Sequence, residues 1–286
     1  MAKSAPSTKA TPLTQEHGYL GAELEPDANG VLTPSYYGDA AGEPEAFAAG
    51  CALADISGTV GSVVEGADAG AFLQMAFAGP LPVPGQLVES VALRGDGTVV
   101  SPALVACLGD YYGLWAPAET AQQLTGWLEG VAAIEQAGSR AFSDVKLGHA
   151  AAMVTLLVAG PDSERVLSDY LAPDASLPAV GSIANLMLDR IPTVCGRVDV
   201  NGAPWTLLWV PETKARVLWR SLLSFEQVTP VGSSAVWGQI EEQAPGLGAL
   251  LDDPDSAPLP QECGAAGLLR ADGGFIGARA LAELHS

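Results

Sequence analysis

The sequence predicts an α+β protein built from two copies of one small unit. Three observations lead to this prediction. Residues recur at a constant spacing of 94 positions, and each copy shows the same order of strands and helices. The composition, with 286 residues of which 48% are hydrophobic and 16% charged, is that of a globular chain long enough to bury a core without disulfides.

The repeat rests on eight positions. The first three are Gly66, Asp68 and Leu73, which recur as Gly160, Asp162 and Leu167, and 160 − 66, 162 − 68 and 167 − 73 all equal 94. The other five lie further along and keep the same spacing: Leu114, Trp115, Pro117, Leu124 and Leu128 recur as Leu208, Trp209, Pro211, Leu218 and Leu222. So many coincidences at one spacing indicate a duplication rather than an alanine-rich composition.

Each copy begins with a strand, a turn and a helix. Apolar and β-branched residues fill positions 59–64 and 153–158 and end at a Gly-x-Asp turn. We expect the aspartate of that turn, Asp68 or Asp162, to accept hydrogen bonds from the amides of the helix that it opens.

Each copy then continues with a hairpin, a strand and a second helix. The hairpins are predicted around Gly95-Asp96-Gly97 in the first copy and Asn201-Gly202 in the second, and we take the two as equivalent, because glycine and asparagine supply the positive φ of such turns. The strand that follows ends in Trp-x-Pro. The next helix carries an acidic residue in its first turn, Glu119 or Glu212, where the helix dipole favours negative charge.

The predicted domain organisation follows from the repeat and its flanks. Residues 1–10 are expected to be a disordered tail. Residues 11–50 together with 145–250 form one domain, which contains the second copy, and residues 51–144 form the first copy. Residues 251–286 are a linker and C-terminal tail, since positions 252–260 are proline-rich and acidic.

Charge and cysteine usage exclude several function classes. Thirteen basic residues against thirty-three acidic ones give a formal charge of −20, which repels nucleic acid and anionic lipid. The first eighteen residues lack the apolar segment of a secretory signal, and no apolar stretch approaches the roughly 18 residues that cross a bilayer, so we predict a cytoplasmic protein without a membrane anchor. The cysteines and histidines are spread singly, so no metal site is expected.

Four segments carry a resemblance to a known family. They are TPLTQEHGYLGA (11–22), GVLTPSYYG (30–38), CALADISGTVGSVVEGADAGAFLQ (51–74) and PQECGAAGLLRADGGFIGARAL (260–281). In this order they resemble the glycine cleavage T-protein (aminomethyltransferase) family of folate-binding proteins. The shared features include a Glu-His pair, Pro34 with Tyr37, and an Asp-x-Ser triplet.

The resemblance implies two repeated α/β units of the T-protein folate-binding fold around a central cavity that holds tetrahydrofolate. A methylene or methyl group would pass between a small donor and a folate nitrogen, which needs an acid or base near that nitrogen and a carboxylate on the pterin edge. It further implies that Thr33, at the position of a family methionine, and Tyr37 line the pocket, with Ser101 as a third cofactor-binding residue.

The sequence departs from the family at the positions that matter for this chemistry. Val100 and Ser101 stand where the family has its catalytic aspartates, and Leu207 stands where it has the pterin-binding glutamate. Asp96 is a substitute acid, although a Gly-Asp-Gly turn favours aspartate for backbone reasons alone. The sequence stops at Ser286, where the family continues into a C-terminal barrel.

Two functions remain open from the sequence. The first is a divergent tetrahydrofolate-dependent aminomethyl- or methyltransferase that acts on folate and a small one-carbon donor. The alternative is a non-catalytic folate-binding or interaction subunit that retains the scaffold. In either case the missing barrel is expected to leave apolar surface, which a homo-oligomer or a protein partner would cover.

Overall fold

The computed structural model describes residues 8–136, 138–244 and 246–284. Its strands are β1 (Ala22–Pro26), β2 (Leu32–Tyr37), β3 (Cys51–Asp55), β4 (Val60–Glu65), β5 (Leu87–Leu93), β6 (Val99–Cys107), β7 (Tyr111–Ala116), β8 (Glu135–Gln136), β9 (Ser139–Arg140), β10 (Lys146–His149), β11 (Met153–Ala159), β12 (Ile183–Leu188), β13 (Ile191–Val200), β14 (Ala203–Pro211) and β15 (Val228–Pro230). Its α-helices are α1 (Thr14–Tyr19), α2 (Glu43–Ala49), α3 (Ala69–Ala76), α4 (Ala118–Ala132), α5 (Ser163–Ser168), α6 (Glu212–Leu222), α7 (Ser233–Gln243), α8 (Leu247–Asp252) and α9 (Ala278–Leu284).

The chain divides into two compact units. Unit 1 comprises Met1–Gly58 and Ala152–Ile240, and unit 2 comprises Thr59–Ala151 and Glu241–Ser286. The boundaries expected before residues 51 and 145 lie eight and seven residues earlier than those before residues 59 and 152. Residues 241–250, expected with the second copy, belong to unit 2. The expected separate tail, residues 251–286, instead belongs to unit 2.

Unit 1 is a six-stranded sheet, and helices α5 and α6 pack on one of its faces. The strand order is β12-β13-β14-β11-β3-β15, and the pairs are antiparallel except for β15, which runs parallel to β3. The core on the helix face combines strand residues such as Leu156 and Leu208 with Leu167 of α5 and Trp219 of α6. Leu13, which precedes α1, and Tyr37 of β2 belong to the same core.

Unit 2 is a five-stranded sheet in the order β10-β4-β7-β6-β5. Helices α3 and α4 pack on it through apolar residues at helical spacing, including Phe72 and Leu73 of α3 and Leu124 and Leu128 of α4. A second cluster lies at β5, where Leu250, Cys263 and Leu281 of the C-terminal segment cover Val91 and other residues of the sheet.

The two units repeat the same pairing, and each sheet takes one strand from the other copy of the duplication. Strand β3 begins the first copy but pairs antiparallel with β11 of the second copy, whereas β10 begins the second copy and pairs with β4 of the first. The registers are equivalent: Leu53 lies opposite Val158 and Leu147 lies opposite Val64, and 147 − 53 and 158 − 64 both equal 94. This strand exchange explains why the unit boundaries fall after β3 and after β10.

The Gly-x-Asp turns are equivalent, but their aspartates do not cap helices as predicted. Gly66 and Gly160 both have positive φ, 113° and 102°. Asp68 and Asp162 stand at the N-caps of α3 and α5, where neither side chain caps a backbone amide of its own helix among the described residues. Asp68 instead accepts hydrogen bonds from the amides of the 143–144 loop, at 2.9 and 3.0 Å, and Asp162 pairs with an arginine on α5.

Both predicted hairpins form, but the prediction that they are equivalent is wrong. Gly95–Gly97 joins β5 to β6, whereas Asn201–Gly202 joins β13 to β14. The counterpart of the first turn is Asp189-Arg190, between β12 and β13, where both residues have positive φ. Local turn composition misled the prediction, because aspartate and arginine fill a turn that glycine fills in the other copy.

Residues 1–10 were predicted to be a disordered tail. The first seven of them lie outside the described residues, and residues 8–10 are described. Lys9 is paired: its amide donates to Gly30 O at 2.7 Å, and Leu32 donates to its carbonyl at 2.9 Å. The described chain is thus tied to β2 from residue 9 onwards.

Candidate functional site

A chain of polar side chains runs through the core of unit 1. The hydroxyl of Tyr37 on β2 lies 2.7 Å from Nδ1 of His17 on α1. Nε2 of the same ring lies 2.9 Å from Oδ2 of Asp55, the last residue of β3. Ser57 donates its amide to Oδ1 of Asp55 at 3.0 Å and its hydroxyl to the same oxygen. We call these four residues the buried relay.

The donors and acceptors of the relay assign its protonation. Asp55 faces donors only, as a carboxylate does, so Nε2 of His17 carries a hydrogen. With Nδ1 accepting from the hydroxyl of Tyr37, both ring nitrogens of His17 have a hydrogen-bond partner. The Ser57 oxygen in turn accepts from the amide of Thr155, at 3.1 Å.

Solvent scarcely reaches the relay. His17 is 0% exposed, Asp55 1% and Tyr37 7%. Trp219 closes one side of the histidine, with its ring edge-on at 5.1 Å. Burial raises the pKa of Tyr37, and the negative charges of Asp55 and Glu43 raise it further, so the phenol stays protonated. The relay therefore orients and joins α1, β2 and β3, and it offers no acid or base to a ligand in solvent.

Two buried glutamates add to this network. Glu43 on α2 accepts hydrogen bonds from the backbone amides of Tyr37 and Gly232, the latter at 2.8 Å. Glu16 is 5% exposed and binds Arg220 on α6 through two hydrogen bonds of 2.7 and 2.9 Å. Both carboxylates are thus committed to contacts within unit 1.

The residues at the predicted catalytic position lie in unit 2, on β6. Val100 is 2% exposed and packs in the apolar core with α3 and α4. Ser101 is fully buried, and its hydroxyl donates to Pro102 O at 2.7 Å, so the Thr120 hydroxyl at 2.8 Å acts as donor to it. Neither side chain can exchange a proton with a substrate in this arrangement.

Asp96, the predicted substitute acid, is a turn residue. Its Oδ1 accepts hydrogen bonds from the amide and hydroxyl of Thr98, at 3.0 and 2.7 Å. These two hydrogen bonds hold the pKa of Asp96 below its usual range. The group is therefore ionised at neutral pH and serves the β5–β6 hairpin.

The remaining predicted positions are in unit 1. Thr33 lies on β2, half-buried, with its hydroxyl 3.4 Å from Glu25 O. It shares its strand with Tyr37, whose hydroxyl is committed to His17. Leu207, at the expected glutamate position, is 4% exposed on β14. Within unit 1, these positions offer no uncommitted carboxylate for a pterin edge.

Sequence reasoning missed the relay because its histidine was treated as one of three scattered residues. A signal was present, however. Three of the four segments that carry the family resemblance each supply one part of the relay: the Glu-His pair, the tyrosine of the second segment and the Asp-x-Ser triplet. The shared motifs thus meet in the core of one unit, where they stabilise the fold.

Comparison with known proteins finds the family that these motifs resemble. A family model described as the GCVT N-terminal domain matches residues 13–264. The chain belongs to the glycine cleavage T-protein family. A crystal structure of the glycine cleavage system aminomethyltransferase T from Bartonella henselae has a TM-score of 0.79 and 25% identity, over 97% of this chain and 74% of that one.

Curated T-protein relatives are similar at moderate identity. The aminomethyltransferase of Bordetella petrii is 29% identical over 235 residues, which is 80% of this chain and 62% of that protein. That of Bordetella avium is 27% identical over 286 residues, 97% of this chain and 75% of that protein. The chain thus spans less than two thirds of the length of the Bordetella petrii relative.

No helix among residues 8–136, 138–244 and 246–284 is long and apolar enough to cross a bilayer. The same residues contain no cluster of three or more side chains suited to hold a metal ion.

Proposed function

We propose that the protein is a divergent T-protein-family protein of folate-linked one-carbon metabolism that does not use the family's carboxylate acid–base. The support is the family match over residues 13–264 together with the burial of Val100, which the resemblance puts at the position of the catalytic acid. A cytoplasmic location and a tetrahydrofolate ligand are parts of this proposal.

The residues present do not reproduce the family's polar contacts to folate. Leu207 cannot bind the amino-amide edge of a pterin, and Ser101 is already satisfied by Thr120 and Pro102. We therefore assign no catalytic step to a residue of this chain. If transfer occurs, methyl transfer from an activated donor fits better than aminomethyl transfer, because it needs less proton handling.

The second candidate is a non-catalytic folate-binding or interaction subunit. It is favoured by the same apolar residues, Val100 and Leu207. A protein that no longer performs the reaction does not need the carboxylates that the family is expected to have at these two positions. It keeps the scaffold, and the buried relay that stabilises it.

Binding and turnover experiments separate the candidates. The protein is titrated with 5-formyltetrahydrofolate in a thermal shift assay, with p-aminobenzoyl-glutamate, which lacks the pterin, as the control. At 100 times Kd we expect about 2.7 kcal/mol of stabilisation, or a Tm rise of roughly 5 °C or more. Methyl transfer is then assayed with unsubstituted tetrahydrofolate as the acceptor and an amine, ether or sulfonium as the donor, and mass spectrometry detects the two products, methyltetrahydrofolate and the demethylated donor.

Each result has a defined meaning. A Tm rise with turnover supports the transferase, and a Tm rise without turnover on any donor supports the binding subunit. No Tm rise at saturating folate contradicts both folate proposals.

A further inference from the structure

The outer edge of β10 in unit 2 is open. β10 ends the five-stranded sheet of the described residues, and all four of its residues are exposed. Ala150 donates its amide to Gly61 O at 3.1 Å, so the even-numbered residues turn their backbone groups toward β4. The backbone groups of Leu147 and His149 consequently point away from the sheet.

The equivalent edge in the other copy of the duplication is covered by a strand. Strand β3 is the counterpart of β10 in unit 1, with the same register on its neighbour, and there the outer edge is covered by β15. The amide of Cys51 donates to Gln227 O at 3.0 Å, and Leu53 O accepts from Val231 at 3.0 Å. As a result β3 is buried throughout.

The two equivalent positions at this edge, on β3 and on β10, both hold a leucine, but the two leucines differ in exposure. Leu53 is 0% exposed, whereas its counterpart Leu147, 94 positions later, is 36% exposed. Unit 2 does not supply its own covering strand. The residues equivalent to β15, at 228 − 94 = 134 to 230 − 94 = 136, fall at β8, which pairs with β9 instead.

We propose that the outer edge of β10 binds an extended segment of another protein, which adds to the sheet parallel to β10 as β15 does to β3. Backbone groups of the odd-numbered residues would provide the hydrogen bonds, and Leu147 the apolar contact. Lys146 and His149 lie exposed on the same strand, so we expect a segment with an acidic residue opposite Lys146 to bind more tightly than one without.

Charge argues against the other occupants. A second copy of this chain brings a further formal charge of −20 to a pairing of only four residues. The chain's own residues 1–7, MAKSAPS, contain a lysine and no acid, so they do not complement Lys146.

The test uses a peptide copied from the strand that covers β3. A fluorescein-labelled peptide with the sequence of residues 225–231 and the change Thr229→Glu is titrated with the full-length protein, and fluorescence anisotropy is measured. In the register of β15, position 229 lies opposite Ala52, whose counterpart is Lys146. We expect saturable binding, with the unchanged peptide binding about threefold more weakly.

Variants of the protein locate the site. Leu147→Pro removes an outward-facing N–H that the pairing with β4 does not use, and we expect it to abolish binding while leaving the circular dichroism unchanged. If Leu147→Pro fails to fold, Lys146→Glu provides the test, with about three- to tenfold weaker binding expected. Lys214→Glu on α6 makes the same charge change at another exposed lysine and should bind normally.

Three results would overturn the proposal: no saturable binding, binding that survives both β10 substitutions, or self-association in sedimentation velocity that Leu147→Pro abolishes. The last result would assign the edge to a second copy of the chain.

Discussion

The buried relay is a stabilising device at the scale of single residues, and Tyr37→Phe tests this role. The substitution keeps the ring but leaves Nδ1 of His17 without its donor in a site that solvent does not reach. An unsatisfied buried acceptor costs about 1–3 kcal/mol, so we expect the free energy of unfolding to fall by that amount. Urea denaturation followed by tryptophan fluorescence measures it.

The adjacent tyrosine provides the control. Tyr36 is 37% exposed, and Tyr36→Phe should change the free energy of unfolding by less than about 0.5 kcal/mol. Equal effects of the two substitutions would show that the hydroxyl of Tyr37 contributes nothing through His17.

The cysteines should be unreactive in the folded protein. All four are buried and free, and burial raises the pKa of Cys51 and of Cys195 to about 12. At pH 8 such a thiol is ionised to about one part in ten thousand, and the thiolate is the reactive form. We expect Ellman's reagent to label Cys51 and Cys195 only slowly in the native protein and all four cysteines rapidly in urea. Rapid labelling of either residue in the native state, located by peptide mapping, would contradict this.

At the residue scale, the sequence indicated what the site lacks better than what it contains. Val100 and Leu207 are apolar in the sequence and buried in the structure, as side chains of that kind should be. The relay was missed because His17 meets Asp55 across 38 positions, and no periodicity reports a contact of that range.

At the scale of elements, the two Gly-x-Asp turns both require a glycine, because neither position has room for a Cβ. A Cβ on Gly66 would lie 2.1 Å from Asp144 O, and one on Gly160 would lie 2.6 Å from Gly50 O. Because both glycines also have positive φ, we expect Gly66→Ala and Gly160→Ala each to lower the free energy of unfolding by about 1–3 kcal/mol, and more where the backbone cannot shift. Thermal and urea unfolding measure the loss.

A glycine inside α4 is the matched control. Gly126 lies in the helix, and a Cβ there would meet no atom within 4 Å. Gly126→Ala should therefore raise the free energy of unfolding by roughly 0.5–1 kcal/mol, since alanine favours the helix. A loss at Gly126 as large as that at Gly66 would mean that the effect is not specific to the turns.

The sequence predicted the elements well where a single segment determines them. Strands β4 and β11, the Gly-x-Asp turns and the first-turn acids Glu119 and Glu212 lie where periodicity and turn chemistry placed them. The hydrogen-bond partners of Asp68 could not be predicted in the same way, because they lie 75 and 76 positions away in a loop.

At the scale of the whole molecule, the strand exchange could not be read from the sequence. A strand at 146–149 can pair with β4 or with β11, and the two copies present similar apolar edges to it. Local pattern is the same for both choices, so only the folded chain distinguishes them. The expected domains assign each first strand to its own copy, and they differ from the two compact units at β3 and β10 for this reason.

Engineered cysteines test the exchange directly. Leu147 and Val64 lie opposite each other in the pairing of β10 with β4, at a position whose backbone groups are not shared between the strands. The Cβ atoms of such pairs are about 4.5–5.5 Å apart, close enough for a disulfide after a small adjustment, so we expect the double variant Leu147→Cys/Val64→Cys to form one on mild oxidation. Peptide mapping by mass spectrometry identifies the bridge.

The control, Leu147→Cys/Val158→Cys, places the second cysteine at the same position of β11, where β10 would pair if each copy kept its own strand. A disulfide in the control and none in the first variant would show that the copies fold without exchange, and the comparison of β10 with β3 would then no longer apply.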